Sequence, residues 1–84
     1  MPDEKIQYNT IKSALAAKGK RNLDLAVYLN MKPTLVSKFV SNARQPPIPL
    51  LFKIAEFFNC EPGELLASRN SIPVIKEIGE EPQQ

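Results

Sequence analysis

The stretch LDLAVYLNMKPTLVSKF, Leu23 to Phe39, decides the fold. Leu25, Ala26 and Leu29 fall on one face of a helix, and Leu35, Val36 and Phe39 fall on one face of another. Between them sits NMKP. Asn30 tolerates the left-handed conformation that ends a helix without glycine, and Pro33 suits a first helical position, where its missing amide proton would have had no partner. Helices are thereby expected over about 22–29 and 33–40, with Asn22 as the cap of the first and Asp24 near its positive end. Met31 is expected to tuck inward and pin the angle. Two short helices joined by a tight elbow add little bulk, but they aim the second helix at a target.

Working outward, YNTIKSALAAK places Tyr8, Ile11, Ala14, Leu15 and Lys18 at three- and four-residue steps and stops at Gly19, which predicts a helix before the elbow pair. After the pair, SNARQPPIP is the longest run of turn chemistry, stiffened by Pro46, Pro47 and Pro49. Ile48, Leu51, Phe52, Ile54, Ala55 and Phe58 then form an apolar fourth helix, the expected centre of the core. In CEPGELLA, Pro62 opens a fifth short helix whose Leu65 and Leu66 are expected to fold back onto the others. Five helices with short connections define an all-α bundle.

Composition narrows the function. The 84 residues, 43% of them hydrophobic, suffice for one small domain. No run of about 18 apolar residues occurs, and MPDEKIQYN has no signal-peptide character, so a cytoplasmic protein without membrane contact is expected. There is no histidine, a single cysteine and only three glycines, so the usual metal sites, imidazole bases and phosphate loops lack their raw material. Asp24, Glu56, Glu61 and Glu64 read as solvated helix-surface charges. We expect no catalysis, no metal and no cofactor, and Cys60, at the end of an apolar run, reads as a small buried thiol without chemistry.

Charge placement points to a polyanion. From Lys5 to Phe58 there are nine basic residues and two acidic ones, a net of +7. Asp3 and Glu4, and then residues 59–84 with five glutamates against Arg69 and Lys76, carry the counterweight. A compact segment with that excess attracts phosphates.

The same residues carry a family resemblance. From Ile11 to Leu66 the chain resembles the helix-turn-helix domain of the phage repressor and Cro type, the xenobiotic-response-element (XRE) family. The marks are Leu25-Ala26 followed by Leu29, Met31 after the turn, Val36 and Phe39 in the third helix, Pro46 in the loop, and KIAEFF at Lys53–Phe58 leading to ELL. Ala26 is small where the third helix crosses close over the second. Asn30 and Asn42 stand where relatives often have glycine, and Asn22 stands where many have a longer glutamine.

The resemblance implies a compact five-helix bundle of the lambda-repressor-like DNA-binding type over residues 1–68, followed by a C-terminal arm, 69–84. It implies a sequence-specific regulator of transcription, with repression as the expected direction, whose third helix enters the major groove of double-stranded DNA while the second crosses the backbone. With Leu35, Val36 and Phe39 facing inward, Thr34, Ser37, Lys38 and Ser41, with Lys32 just before the helix, are the base-reading candidates. Lys38 suits guanine O6 or N7, Thr34 the thymine methyl, and Ser37 either kind of base edge. Lys20, Arg21, Asn22, Asn42 and Arg44 are the phosphate-holding candidates.

One short helix reads too few base pairs to discriminate within a genome, so a homodimer on an inverted repeat is expected. The apolar strip Ile72, Val74, Ile75 and Ile78, readable as an extended arm or a weak helical turn, is the candidate dimer contact, with the surface near the fifth helix as the alternative, and the acidic end beyond it is expected to be disordered. The strip packed on its own domain is the plainer alternative. Two further readings stay open: an antitoxin-like or anti-repressor-like protein whose arm binds a partner protein, and a helical interaction module that has lost DNA binding.

Overall fold

The computed structural model describes residues 6–69. Four α-helices follow one another: α1 (Ile11–Lys18), α2 (Asn22–Leu29), α3 (Pro33–Val40) and α4 (Ile48–Phe58). A 3-10 turn, Pro62–Leu65, follows α4. The expected arm, with Ile72, Val74, Ile75 and Ile78, lies outside the described residues.

Local chemistry sets the helix ends. Gly19 ends α1 in the left-handed region at φ 66°, and the Lys20 amide returns to the Leu15 carbonyl at 2.9 Å. Asn30 and Asn59 end α2 and α4 in the same way, at φ 58° and 57°. Neither position has a glycine, because asparagine bears this conformation at small cost. Asn22 differs from expectation: it is the first helical residue of α2, not its cap. The cap position is Arg21, whose amide donates to the Asp24 carboxylate at 2.8 Å. That carboxylate satisfies a donor the helix start would leave open, so the Asn22 side chain is free for other use.

The elbow closes as expected. The Met31 amide donates to the Ala26 carbonyl at 3.0 Å, and Met31 is half-buried against the core. Pro33 opens α3, and the Lys32 carbonyl accepts from Leu35 and Val36 at 3.0 and 3.2 Å. Twelve apolar residues form the core: Ile11 and Leu15 of α1, Leu25 and Ala26 of α2, Val36, Phe39 and Val40 of α3, Leu51, Ile54, Ala55 and Phe58 of α4, and Leu65. Leu35 is only half-buried, at the edge of this core.

The fifth helix is where the bundle departs from expectation. Pro62–Leu65 is one 3-10 turn, not an α-helix, because the chain finds its next partners elsewhere. Asn9 and Leu66 form an antiparallel bridge, with the Thr10 amide on the Leu65 carbonyl at 2.8 Å and the Ala67 amide on the Tyr8 carbonyl at 2.7 Å. These bonds draw residues 65–67 into extended pairing, and only Leu65 enters the core. Leu66 stays 49% exposed. On α4, Ile48 and Phe52 also face out, 63% and 58% exposed, so the buried stripe of that helix is narrower than its apolar content.

Candidate nucleic-acid interface

α3 is strongly two-faced. Val36, Phe39 and Val40 are buried under it, while Thr34, Ser37, Lys38 and Ser41 are exposed, as is Lys32 just before its start. The five expected base-reading residues therefore share the outward side of one helix and its two ends. Ala26, 2% exposed, lies among the buried residues that hold α3 to α2.

Around this helix the positively charged residues come from several elements. Lys20 and Arg21 are exposed in the turn between α1 and α2, and Arg44 is exposed in the loop after α3. The Arg44 amide donates to the Lys38 carbonyl at 3.2 Å, which fixes where that loop leaves the helix. The Ser41 hydroxyl also turns back, donating to the Lys38 carbonyl at 3.3 Å. Carbonyls at the end of α3 thus gain partners that the helix itself cannot supply.

Asn22 points across the motif. Its amide nitrogen donates to the Ser37 hydroxyl at 3.2 Å, joining the first turn of α2 to the exposed face of α3. Beside this pair is a cleft of about 430 Å³, lined by Lys12, Leu15, Ala16, Lys20, Asn22, Ser37, Val40 and Ser41. Lys12 belongs here by position, and sequence reasoning missed it as a site residue. Its only signal was membership of the basic segment, since nothing in the spacing of α1 says which way its polar face points.

Asn42 occupies a different place from its expected companions. It sits at φ 65°, and its side-chain oxygen accepts from the Tyr8 amide at 2.9 Å, the Asn9 amide at 3.0 Å and Gln45 Nε2 at 3.1 Å. Its nitrogen donates to the Asn9 carbonyl at 3.2 Å. Its oxygen is committed to the domain, and one of the two N–H donors of its nitrogen is used on the Asn9 carbonyl. Asn9 completes the network: it is 3% exposed, donates to the Phe39 carbonyl and Gln45 Oε1 at 3.0 and 2.8 Å, and accepts from the Ile11 amide at 3.1 Å. These residues clamp the entry to α1 onto the exit of α3, a role that separated asparagines in a sequence do not announce.

Elsewhere the chemistry is quiet. Among the described residues no cluster of His, Cys, Asp or Glu is arranged to hold a metal ion, and no helix is long and apolar enough to cross a membrane. Cys60 is half-buried, and burial pushes its thiol above the usual range, helped by Glu64 and Glu61 and opposed by Lys18. Such a thiol holds little thiolate near neutral pH.

This arrangement, two short helices with a fixed elbow and a polar, cationic outer helix, defines a DNA-binding helix-turn-helix domain. The helix-turn-helix family model matches residues 11–65, and the chain belongs to that family, of the Cro and phage-repressor (XRE) type. Among solved structures, the chain is similar to one titled "Crystal structure of a putative DNA-binding protein from Bacteroides fragilis", with 35% identity and a TM-score of 0.70. The likeness covers 71% of this chain and 97% of that one. Among curated proteins, none matches.

Proposed function

We propose that the protein is a sequence-specific regulator of transcription, acting inside the cell as a repressor and binding an inverted DNA repeat as a homodimer. α3 lies in the major groove, with Lys32, Thr34, Ser37, Lys38 and Ser41 towards the base edges. Lys20, Arg21, Asn22 and Arg44 hold phosphates on either side, joined by Lys12 from the cleft between α1 and α3. The observation that carries this reading is the division of α3 into a buried apolar face and an exposed face with no acidic residue. A helix so divided is held rigidly by the domain and is electrostatically matched to DNA.

The polar set is small, so each monomer discriminates modestly and a second copy is needed for a useful specificity ratio. The strip Ile72, Val74, Ile75 and Ile78 supplies the contact between copies. The test is selection of bound duplexes from a random DNA pool at near-physiological salt. An enriched inverted repeat, with half-sites about one helical turn apart, supports the reading. Binding without enrichment that disappears as salt rises overturns it and leaves an electrostatic affinity alone.

A further inference from the structure

An apolar groove of about 400 Å³ opens between the segment before α1, the loop after α3 and the first turn of α4. Tyr8, Pro46, Ile48, Leu51 and Leu66 supply its apolar lining. Tyr8, Ile48 and Leu66 are 41%, 63% and 49% exposed, and Phe52, one helical turn beyond Ile48, is 58% exposed. Large apolar side chains gathered around one groove mark a surface that gains by being covered. The groove is separate from the outward face of α3, since none of the base-reading residues lines it.

The chain carries a matching segment a few residues further on. Leu66, one wall of the groove, is followed six residues on by Ile72 and then by Val74, Ile75 and Ile78, the isoleucines and valine of residues 70–84. Pro73 among them has a fixed φ suited to an extended segment. We infer that the groove seats the strip 72–78 of a second copy of this chain, in a reciprocal exchange that fills both grooves. This deepens the dimer of the proposed function, on which it rests, by naming the surface that receives the strip.

One observation and one symmetry argument favour the second copy over the chain's own strip. The Ala67 amide is bonded to the Tyr8 carbonyl at 2.7 Å, so the chain is pinned at the groove wall one residue after Leu66. Only four residues, 68–71, separate that pinned point from Ile72, a short link for folding back into the adjoining groove, whereas a strip arriving from a partner carries no such constraint. An exchange between identical copies is also self-complementary, so one short segment and one groove provide two equivalent contacts.

Disulfide trapping in the absence of DNA tests this. Full-length chains carrying Cys60→Ala and Ile48→Cys are mixed with chains carrying Cys60→Ala and one of Ile72→Cys, Val74→Cys or Ile75→Cys, and then oxidised. Ile48 is exposed, so its replacement leaves the core intact. The expected result is a disulfide-linked heterodimer for at least one arm position, and none when Leu23→Cys, exposed on α2 and not lining the groove, replaces Ile48→Cys. Three results overturn the proposal: no link at any arm position, equal linking to Leu23→Cys, or an intramolecular disulfide in a monomer when both cysteines are on one chain. Light scattering on the parent separates the outcomes. A dimer without links refutes the groove as the seat and leaves the dimeric regulator standing, whereas a monomer that also enriches no DNA repeat removes both.

Discussion

The Asn22 amide nitrogen lies 3.2 Å from the Ser37 hydroxyl, so the first residue of α2 holds a side chain that faces outward from α3. A serine hydroxyl rotates freely and can donate or accept, which makes it a poor reader of base identity. Accepting from Asn22 occupies one lone pair and leaves the hydroxyl its own proton to donate, which in the proposed docking suits an acceptor such as guanine N7 or thymine O4. Replacing Asn22 by alanine is expected to weaken specific binding by about 1 kcal/mol and to blur preference at the base pair facing Ser37. The thermal midpoint is expected to move little, because the bond is exposed. Anisotropy titrations with operator duplexes varied at single positions check this, and undiminished discrimination would remove the coupling.

Lys38 and Arg44 differ in what they face. Lys38 is exposed on the last turn of α3, whereas Arg44 sits in the following loop, fixed by its amide on the Lys38 carbonyl. Lys38→Ala is expected to cost about 1–3 kcal/mol of binding on the preferred sequence and to relax preference at one position. Arg44→Ala is expected to weaken all sequences alike and to reduce the slope of log affinity against log salt by about 1. Parent-like binding by both variants at low and high salt would contradict the docking.

The three asparagines with positive φ are not equivalent. Asn30 ends α2 through its backbone, with its amide nitrogen on the Val27 carbonyl at 3.1 Å. Asn42 has the same backbone conformation, but its side chain serves the amides of Tyr8 and Asn9. Glycine at position 30 is therefore expected to change stability by only a few tenths of a kcal/mol. Glycine at position 42 leaves the part-buried Asn9 amide without its partner, and is expected to cost about 1–3 kcal/mol. Chemical denaturation of both variants reads the difference directly; equal midpoints would mean that the clamp between α1 and α3 contributes little.

How much of this was legible beforehand follows from the range of the interactions. The elbow, its Asn30 terminator, the proline at the head of α3 and the divided faces of that helix depend on residues a few positions apart, and periodicity reports them. The Asn9–Asn42–Gln45 clamp joins residues more than thirty positions apart, and Lys12 reaches the cleft only through the packing of α1 on α3. The final turn was misread for a similar reason. Pro62 and the leucines are compatible with a short α-helix, but the bridge between Asn9 and Leu66 takes the backbone away, and that pairing has no local signature.

Ala26 tests the closest approach in the motif. It is 2% exposed within the shared core, and its carbonyl accepts the Met31 amide at the elbow. Leucine there adds three carbons where α2 and α3 have no spare volume, and overpacking of this kind costs about 1–3 kcal/mol, more where the backbone cannot move. A domain this small has little stability in reserve, so Ala26→Leu is expected to lower the thermal midpoint sharply or to abolish the cooperative transition. Any folded fraction should bind DNA less well, because separating α2 from α3 shifts Ser37 away from Asn22 and Lys38 away from the groove. A variant that melts like the parent and binds with parent affinity would show that the helices do not meet at this residue.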